Sequence, residues 1–171
     1  ASLGWTDPSL WSIIRAMKQV DYSQAVTRKF PEPVSMVVSW DAERDRANII
    51  TVGWSMCTSF VPPMLGVSVG LPRHSFHTIR DAGEFVVAFP SDDQVEQALF
   101  CGTRCGREHD KFKESGLVAV PSLHIRPPLI AGACSNFECK LVDSCETGDH
   151  TIYVGEVLAS HVEDDAGPRL F

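Results

Sequence analysis

The chain has 171 residues, of which 44% are hydrophobic and 22% are charged, and its formal net charge is −7. This composition is typical of an ordinary soluble globular chain and predicts a single domain over residues 1–171. The acidic balance, without a run of Lys or Arg, argues against a nucleic-acid or anionic-membrane partner. No apolar stretch reaches the roughly 18 residues needed to cross a bilayer and no signal peptide is visible, so we expect a cytoplasmic protein.

The first predicted element is an amphipathic helix at about residues 7–20. Asp7-Pro8 has the form of a helix start, with Asp as the N-cap and Pro at the first helical position. Apolar side chains recur at helical spacing along one face: Leu10, Ile13, Ile14 and Met17. This face must pack either on the rest of its own subunit or on a neighbouring one.

The central segment, Asn48 to Val69, follows a first strand predicted at Val34–Trp40. It runs through a β-branched strand, a polar connection, a proline break and an alternating strand: Ile49–Val52, Ser55–Ser59, Pro62-Pro63 and Met64–Val69. Two strands around a bent, hydroxyl-rich connection can offer backbone N–H groups and the plane of Trp54 to a flat polar ligand. The alternative is two core strands and a loop without a ligand.

Helices and strands alternate through the rest of the chain. Three helices are predicted, two of them ended by glycine: Ser75–Ala82 with Gly83, a helix from Asp92 or Asp93 through Leu99, and Asp110–Ser115 with Gly116. Strands are predicted at Glu84–Phe89, Ala133–Val142 and Thr151–His161, the last two joined by a turn at Thr147-Gly148-Asp149. Many short strands with inserted helices favour a mainly β, antiparallel barrel. An OB-like barrel stays open, although one that bound nucleic acid would carry a basic, aromatic-lined face.

Six cysteines are spaced poorly for structural zinc, so no metal site is expected. A core of this size does not need disulfides, and we expect reduced, mostly buried thiols. Cys101 and Cys105 lie near two glycines and are candidates for a thiol pair that reacts with an oxidant. Glu156, in an otherwise apolar strand, is interpreted as structural because a buried carboxylate must be paired.

The order of residues in the central segment resembles the first signature of the flavin reductase-like FMN-binding split-barrel family, which includes flavoredoxin. The signature is Asn48, then Trp54 six positions later, then Ser59 and Pro62-Pro63. Four further segments continue the resemblance over roughly residues 25–162: Pro33 to Asp41, His77 to Pro90, Asp110 to Leu117, and Gly148 to Val157. The resemblance implies a six-stranded antiparallel split β-barrel with peripheral helices.

The resemblance also implies a set of cofactor-binding residues: Asn48, Trp54, Ser55, Ser59, Ser75, Lys111 and His150. Ser75, at a helix start, would bind the flavin phosphate, with Arg73, Thr78 and Arg80 as supporting candidates. Without the resemblance, Ser75 is an N-cap and Lys111 a solvated helix lysine. His150, otherwise a surface or core histidine, would be catalytic and contact the flavin edge or an incoming nicotinamide. We predict that Asn48, Trp54, Ser75, Lys111 and His150 converge on one cleft.

The function implied is that of an NAD(P)H-dependent flavin reductase, in which hydride passes from a transiently bound nicotinamide to N5 of FMN. One alternative is a flavoredoxin-like electron carrier that receives electrons from a redox protein partner. A second alternative is a flavin-free split-barrel binding module. No glycine-rich pyrophosphate turn follows a strand, so FMN is predicted over FAD. The resemblance and the amphipathic helix together predict a homodimer.

Overall fold

A computed structural model describes residues 18–171 of the chain. The chain divides into two compact units, Ala1–Pro31 and Glu32–Phe171. In the first unit, helix α1 spans Tyr22–Val26 and a 3-10 turn follows at Thr27–Lys29. Residues 18–20 are not helical, and the rest of the helix predicted at about 7–20 lies outside the described residues. That the whole chain is one domain stays a prediction.

The second unit is built on a seven-stranded sheet in the order β2-β1-β5-β8-β9-β4-β3. Its strands are β1 (Ser35–Asp41), β2 (Arg46–Val52), β3 (Ser55–Phe60), β4 (Pro63–Gly70), β5 (Glu84–Phe89), β8 (Ser135–Thr147) and β9 (His150–Val162). Two short strands, β6 (Ala119–Val120) and β7 (Leu129–Ile130), form a separate antiparallel pair. Three helices lie between strands: α2 (His74–Ala82), α3 (Val95–Thr103) and α4 (Lys111–Ser115).

Neighbouring strands of the large sheet pair antiparallel throughout. The predicted mainly β split barrel is confirmed, with seven strands in the large sheet where six were expected. The final hairpin is also confirmed and is longer than predicted. Its strands pair from Ser135 with Val162 to Thr147 with His150, which leaves a two-residue turn. Gly148 supplies the positive φ of 66° that this tight turn requires.

Two predicted details were wrong. The polar segment at Ser55–Ser59 is a strand, β3, rather than a connection, because it pairs along β4 at the edge of the sheet. The helix at α3 is preceded by a 3-10 turn, Asp92–Gln94, whose capping residue is Ser91 rather than an aspartate. The side chains of Ser91 and Gln94 form a reciprocal capping box there.

Two apolar clusters pack on opposite faces of the sheet. One contains Met36, Val38 and Ile49 with Ala98 and Cys101 of α3. The other contains, among others, Val37, Val67, Val87, Tyr153 and Ile79 of α2. Successive residues of β1 therefore enter different clusters, as the two-residue period of a strand requires. Helices α2, α3 and α4 all pack against β2, so their ends meet beside this strand.

The six cysteines are free thiols, but they are not mostly buried as predicted. Cys57 and Cys145 are exposed because β3 is an edge strand and the outer half of β8 projects into solvent. Burial raises the pKa of Cys101 to about 11, so its thiol stays protonated at neutral pH. Residues 18–171 contain no cluster of His, Cys, Asp and Glu that could hold a metal ion. None of the helices in this range has the length and apolar character to span a bilayer.

Candidate functional site

The start of helix α2 is joined to strand β2 by a buried side-chain hydrogen bond. Asn48 Nδ2 donates to Ser75 Oγ over 2.8 Å, and both residues are only 3% exposed. The other amide atom, Asn48 Oδ1, is buried and lacks a hydrogen-bond partner among residues 18–171. A Cβ added to Gly106 would lie 2.8 Å from Asn48 Cγ and overlap its oxygen, so only glycine permits this close approach.

Lys111, the first residue of α4, points inward. Its ammonium donates to the carbonyl oxygens of Ile49 over 2.6 Å and of Cys101 over 2.7 Å, and the residue is 3% exposed. Burial lowers its pKa, and the charge of Arg73 lowers it further. No carboxylate within residues 18–171 pairs with this ammonium, and two carbonyls use two of its three N–H donors. The third donor is available to an anion.

A depression of about 250 Å³ lies between the starts of α2 and α4 and the end of α3. Among residues 18–171, its lining includes three cationic side chains, Arg73, Arg104 and Lys111, together with Ser75 and no carboxylate. Neither arginine forms an ion pair within the described part of the chain. A concave surface with several cations and no counter-charge favours an anionic group such as a phosphate.

A second depression, of about 180 Å³, contains the aromatic pair Trp54 and His150. The centroids of the two rings are 4.9 Å apart and their planes are inclined at 44°. Trp54 is 44% exposed and can therefore present its ring to a ligand. Nδ1 of His150 is 2.7 Å from the carboxylate of Asp149, and this hydrogen bond lowers the pKa of Asp149. With Nδ1 as the donor, Nε2 of His150 is left as an acceptor.

The two depressions adjoin, because Ile50, Arg73 and Gly102 line both of them. The structure places four of the five residues predicted to converge around these two adjoining depressions, whereas Asn48 is buried and lines neither of them. Ser75 and Lys111 line the cationic half with Asn48 behind Ser75, and Trp54 and His150 line the aromatic half. Such a cleft suits a ligand that has an anion at one end and a flat ring system at the other.

Two predicted residues lie elsewhere. Ser55 and Ser59 line a separate, mainly apolar groove of about 490 Å³ between β3 and the start of β8. Ser55 Oγ is 2.7 Å from Ser35 Oγ, so its hydroxyl has an internal partner. Both residues fall outside the cleft because β3 is the edge strand beside this groove.

Of the three residues predicted to support phosphate binding, one lines the cleft and two do not. Arg73 lines both halves of the cleft. Thr78 is buried, with Oγ1 2.7 Å from Ser39 Oγ. Arg80 forms an exposed pair with Asp81 over 2.8 Å and does not line the cleft.

Sequence reasoning missed a buried pair in the cationic half. His74, which lines this depression, has Nε2 2.7 Å from the Asp41 carboxylate. The two residues are 33 positions apart, and no local pattern links them. The available signal was the position of His74 directly before Ser75 at the predicted helix start. Arg104 was also missed, because a lone arginine after a helix carries no signal of its own.

The chain matches a family model, two relatives and a solved structure. A family model described as "Flavin reductase like domain" matches residues 27–171. An uncharacterized protein of Archaeoglobus fulgidus is 37% identical over 114 residues, which is 67% of this chain and 64% of that protein, so the match spans just under two thirds of the relative. The NADH-dependent FMN reductase AsuE2 of Streptomyces nodosus subsp. asukaensis is 29% identical over 142 residues, covering 82% of this chain and 74% of that protein. The crystal structure of flavoredoxin from Methanosarcina acetivorans superposes with a TM-score of 0.76 at 28% identity, covering 86% of this chain and 76% of that chain.

Proposed function

The chain belongs to the flavin reductase-like family, and on that premise we propose that it binds FMN and acts as an NAD(P)H-dependent flavin reductase. One observation carries the proposal: the cation-lined depression beside Ser75 and Lys111 adjoins the aromatic depression at Trp54 and His150. FMN has the matching shape, with a phosphate at one end and the isoalloxazine ring at the other.

The residues that would hold the cofactor follow from the chemistry of the two halves. In the cationic half, the phosphate would accept hydrogen bonds from Ser75, Lys111 and Arg73. In the aromatic half, Trp54 would pack near the ring and His150, oriented by Asp149, would lie at its edge. Bound flavin supplies a hydride acceptor, and the protein's part is to hold and orient it.

We expect FMN to bind more tightly than FAD, because FMN brings a single phosphate to the cationic half and no glycine-rich pyrophosphate turn follows a strand in the sequence. Ser75→Ala should weaken FMN binding by about 1–3 kcal/mol through loss of a hydrogen bond to the phosphate. Titration of the apoprotein with both flavins measures these affinities. Ser144→Ala, in the exposed part of β8, is the matched control and should leave them unchanged. Tighter FAD binding would contradict the assignment of the phosphate site.

The similarity to a flavoredoxin favours a second candidate function, an FMN electron carrier that takes its electrons from another protein. Anaerobic addition of NADH or NADPH to the FMN-loaded protein separates the two. Rapid bleaching of the flavin colour is expected for the reductase. A carrier would stay yellow until a protein donor is added, and apoprotein that takes up no flavin would indicate the flavin-free binding module.

We also propose a homodimer, in which strand β3 contributes to the interface. Met56, Phe60 and Val61 are 52%, 88% and 92% exposed at this edge of the sheet, beside the 490 Å³ groove. An exposed apolar edge of this kind is typical of an interaction surface. Light scattering after size-exclusion chromatography should give a dimer at micromolar concentration.

The variant Phe60→Glu should shift that dimer to monomer, because the new charge would be buried at the interface. The control is Leu99→Glu, which adds the same charge to an exposed leucine of α3. A monomeric wild-type protein would contradict the proposed dimer. Equal shifts towards monomer in the two variants would contradict the role of β3 in the interface.

A further inference from the structure

The buried pair of Asp41 and His74 has one ring nitrogen without a hydrogen-bond partner among residues 18–171. The Asp41 carboxylate accepts hydrogen bonds from the backbone N–H groups of Glu43 and Arg44 over 3.1 and 3.3 Å, from the Arg44 guanidinium over 3.3 Å, and from His74 Nε2 over 2.7 Å. Burial alone would raise the pKa of Asp41, but the bonds from His74 and Arg44 outweigh it and the net shift is downward. Asp41 is therefore ionised at neutral pH and can only accept a hydrogen bond. Nε2 of His74 must then carry the proton of the hydrogen bond between the two side chains.

The other ring nitrogen, Nδ1 of His74, is buried and has no hydrogen-bond partner among residues 18–171. The His74 side chain is 8% exposed and lines the cationic depression. A buried ring nitrogen without a partner is costly unless a ligand satisfies it. Because Nε2 donates to Asp41, Nδ1 either offers a lone pair or carries a second proton.

The surrounding charges decide which of these forms is favoured. Among residues 18–171, one carboxylate lies beside His74, that of Asp41, with Arg44 behind it. The other titratable groups around the ring are four cations and two thiols: Arg46 on β2, Arg73 at the start of the same helix, Arg104 after α3, Lys111 of α4, and Cys101 and Cys105. Around the ring, these cations outnumber the one carboxylate, Asp41. A phosphate dianion in the depression reverses this balance, because it attracts a proton to the nearest free nitrogen.

We propose that His74 takes up a proton from solvent at Nδ1 when a phosphate monoester enters the depression and donates a hydrogen bond to that phosphate. Asp41 acts through His74 as a positioning residue, since it fixes the ring orientation and balances the added charge. This inference rests on the proposed function only in that FMN supplies the phosphate. Binding of FMN is then linked to the uptake of a proton, whereas binding of riboflavin, which has no phosphate, is not.

Calorimetric titration of the apoprotein with FMN and with riboflavin tests this linkage. At one neutral pH, two buffers with different ionisation enthalpies are compared, neither of them phosphate, so that proton uptake appears as a difference in the binding enthalpy. Wild-type protein should take up protons with FMN and none with riboflavin. His74→Gln should abolish the uptake and weaken FMN binding by about 10- to 100-fold, the range of a charge-assisted hydrogen bond. Asp41→Asn should reduce both the proton uptake and the FMN affinity, although residue 41 does not contact the ligand.

The control is His77→Gln, on the same helix but outside the depression, which should behave like wild type. Proton uptake that persists in His74→Gln, or an equal loss of FMN and riboflavin affinity, would overturn the inference. If His74→Gln does not fold, the imidazole nitrogen NMR shifts of the wild-type protein give the same answer, because Nδ1 of His74 must become protonated on addition of FMN. Wild-type protein that binds neither flavin would instead refute the proposed function.

Discussion

Replacing Lys111 with methionine is expected to lower FMN affinity by about 10- to 100-fold and to leave riboflavin affinity nearly unchanged. Within residues 18–171, the ammonium is the cation buried deepest in the cationic half of the cleft, and its third N–H donor has no acceptor there. A buried donor acts in a medium where its charge is weakly screened, so its loss costs more than the loss of an exposed lysine. Titration with both flavins measures the difference.

Lys113→Met provides the matched control for this prediction. Lys113 lies two positions further along α4 and is exposed, so the substitution changes the net charge equally without reaching the cleft. Methionine also fills nearly the same volume as the lysine stem, which limits repacking around residue 111. Equal effects of the two substitutions would show that the phosphate responds only to overall charge and that Lys111 does not contact it.

Replacing Glu138 with glutamine is expected to reduce the free energy of unfolding by about 2–4 kcal/mol at neutral pH. Glu138 lies on β8 with 0% exposure, and its two carboxylate oxygens accept the backbone N–H groups of Leu123 and His124 over 2.8 and 2.7 Å. Nε2 of His161 is 2.8 Å from the same carboxylate. An amide keeps only one acceptor oxygen and turns an NH₂ group towards a donor, so at least one of these bonds is lost.

The stabilisation by Glu138 should also disappear in acid. Burial raises the pKa of Glu138, but hydrogen bonds from Leu123, His124 and His161 outweigh it and hold the pKa below its ordinary value of 4.5. A carboxyl group whose pKa is lower in the folded than in the unfolded state stabilises the folded protein at pH values above the unfolded pKa. This stabilisation is lost as the pH falls from about 4.5 through the pKa of the folded state. Urea unfolding at neutral and acid pH should therefore show wild type and Glu138→Gln converging in acid.

Glu156→Gln is the control for the Glu138 prediction, because it makes the same change on the neighbouring strand β9. Glu156 is only half-buried and pairs across the sheet with Lys140, so its loss should cost less than about 1 kcal/mol. A similar loss of stability in both variants would contradict a special role of the buried carboxylate.

Local sequence signals predicted the helices and turns whose ends are set by residues within the same segment. Helix α2 ends at Gly83, which has a φ of 68°, and the last hairpin turns at Gly148 after a clear alternation of apolar and polar residues. Strand β3 gave no such signal, because an edge strand with most of its residues exposed has little apolar alternation to show.

Contacts between distant segments were beyond local signals. The sequence puts Glu138 on one face of β8 with Asn136 and Lys140, but its burial depends on backbone donors from the irregular segment around Leu123 and His124. The pairing of Asp41 with His74 likewise exists only after β1 and α2 have packed. Lys111 was identified through family resemblance, whereas its two carbonyl partners follow from packing of α4 against β2 and α3.

The long β8–β9 hairpin has a consequence for solubility under crowded conditions. Strand β5 pairs with β8 only as far as Lys140, and past Leu141 the outer edge of β8 has no neighbouring strand within residues 18–171. Unpaired strand edges can template the addition of another chain and the growth of aggregates. Here the exposed edge segment carries Asp143 and Glu146, with Asp149 at the turn, so two such hairpins repel each other. Acidic residues at this strand edge therefore disfavour edge-to-edge pairing of two such hairpins.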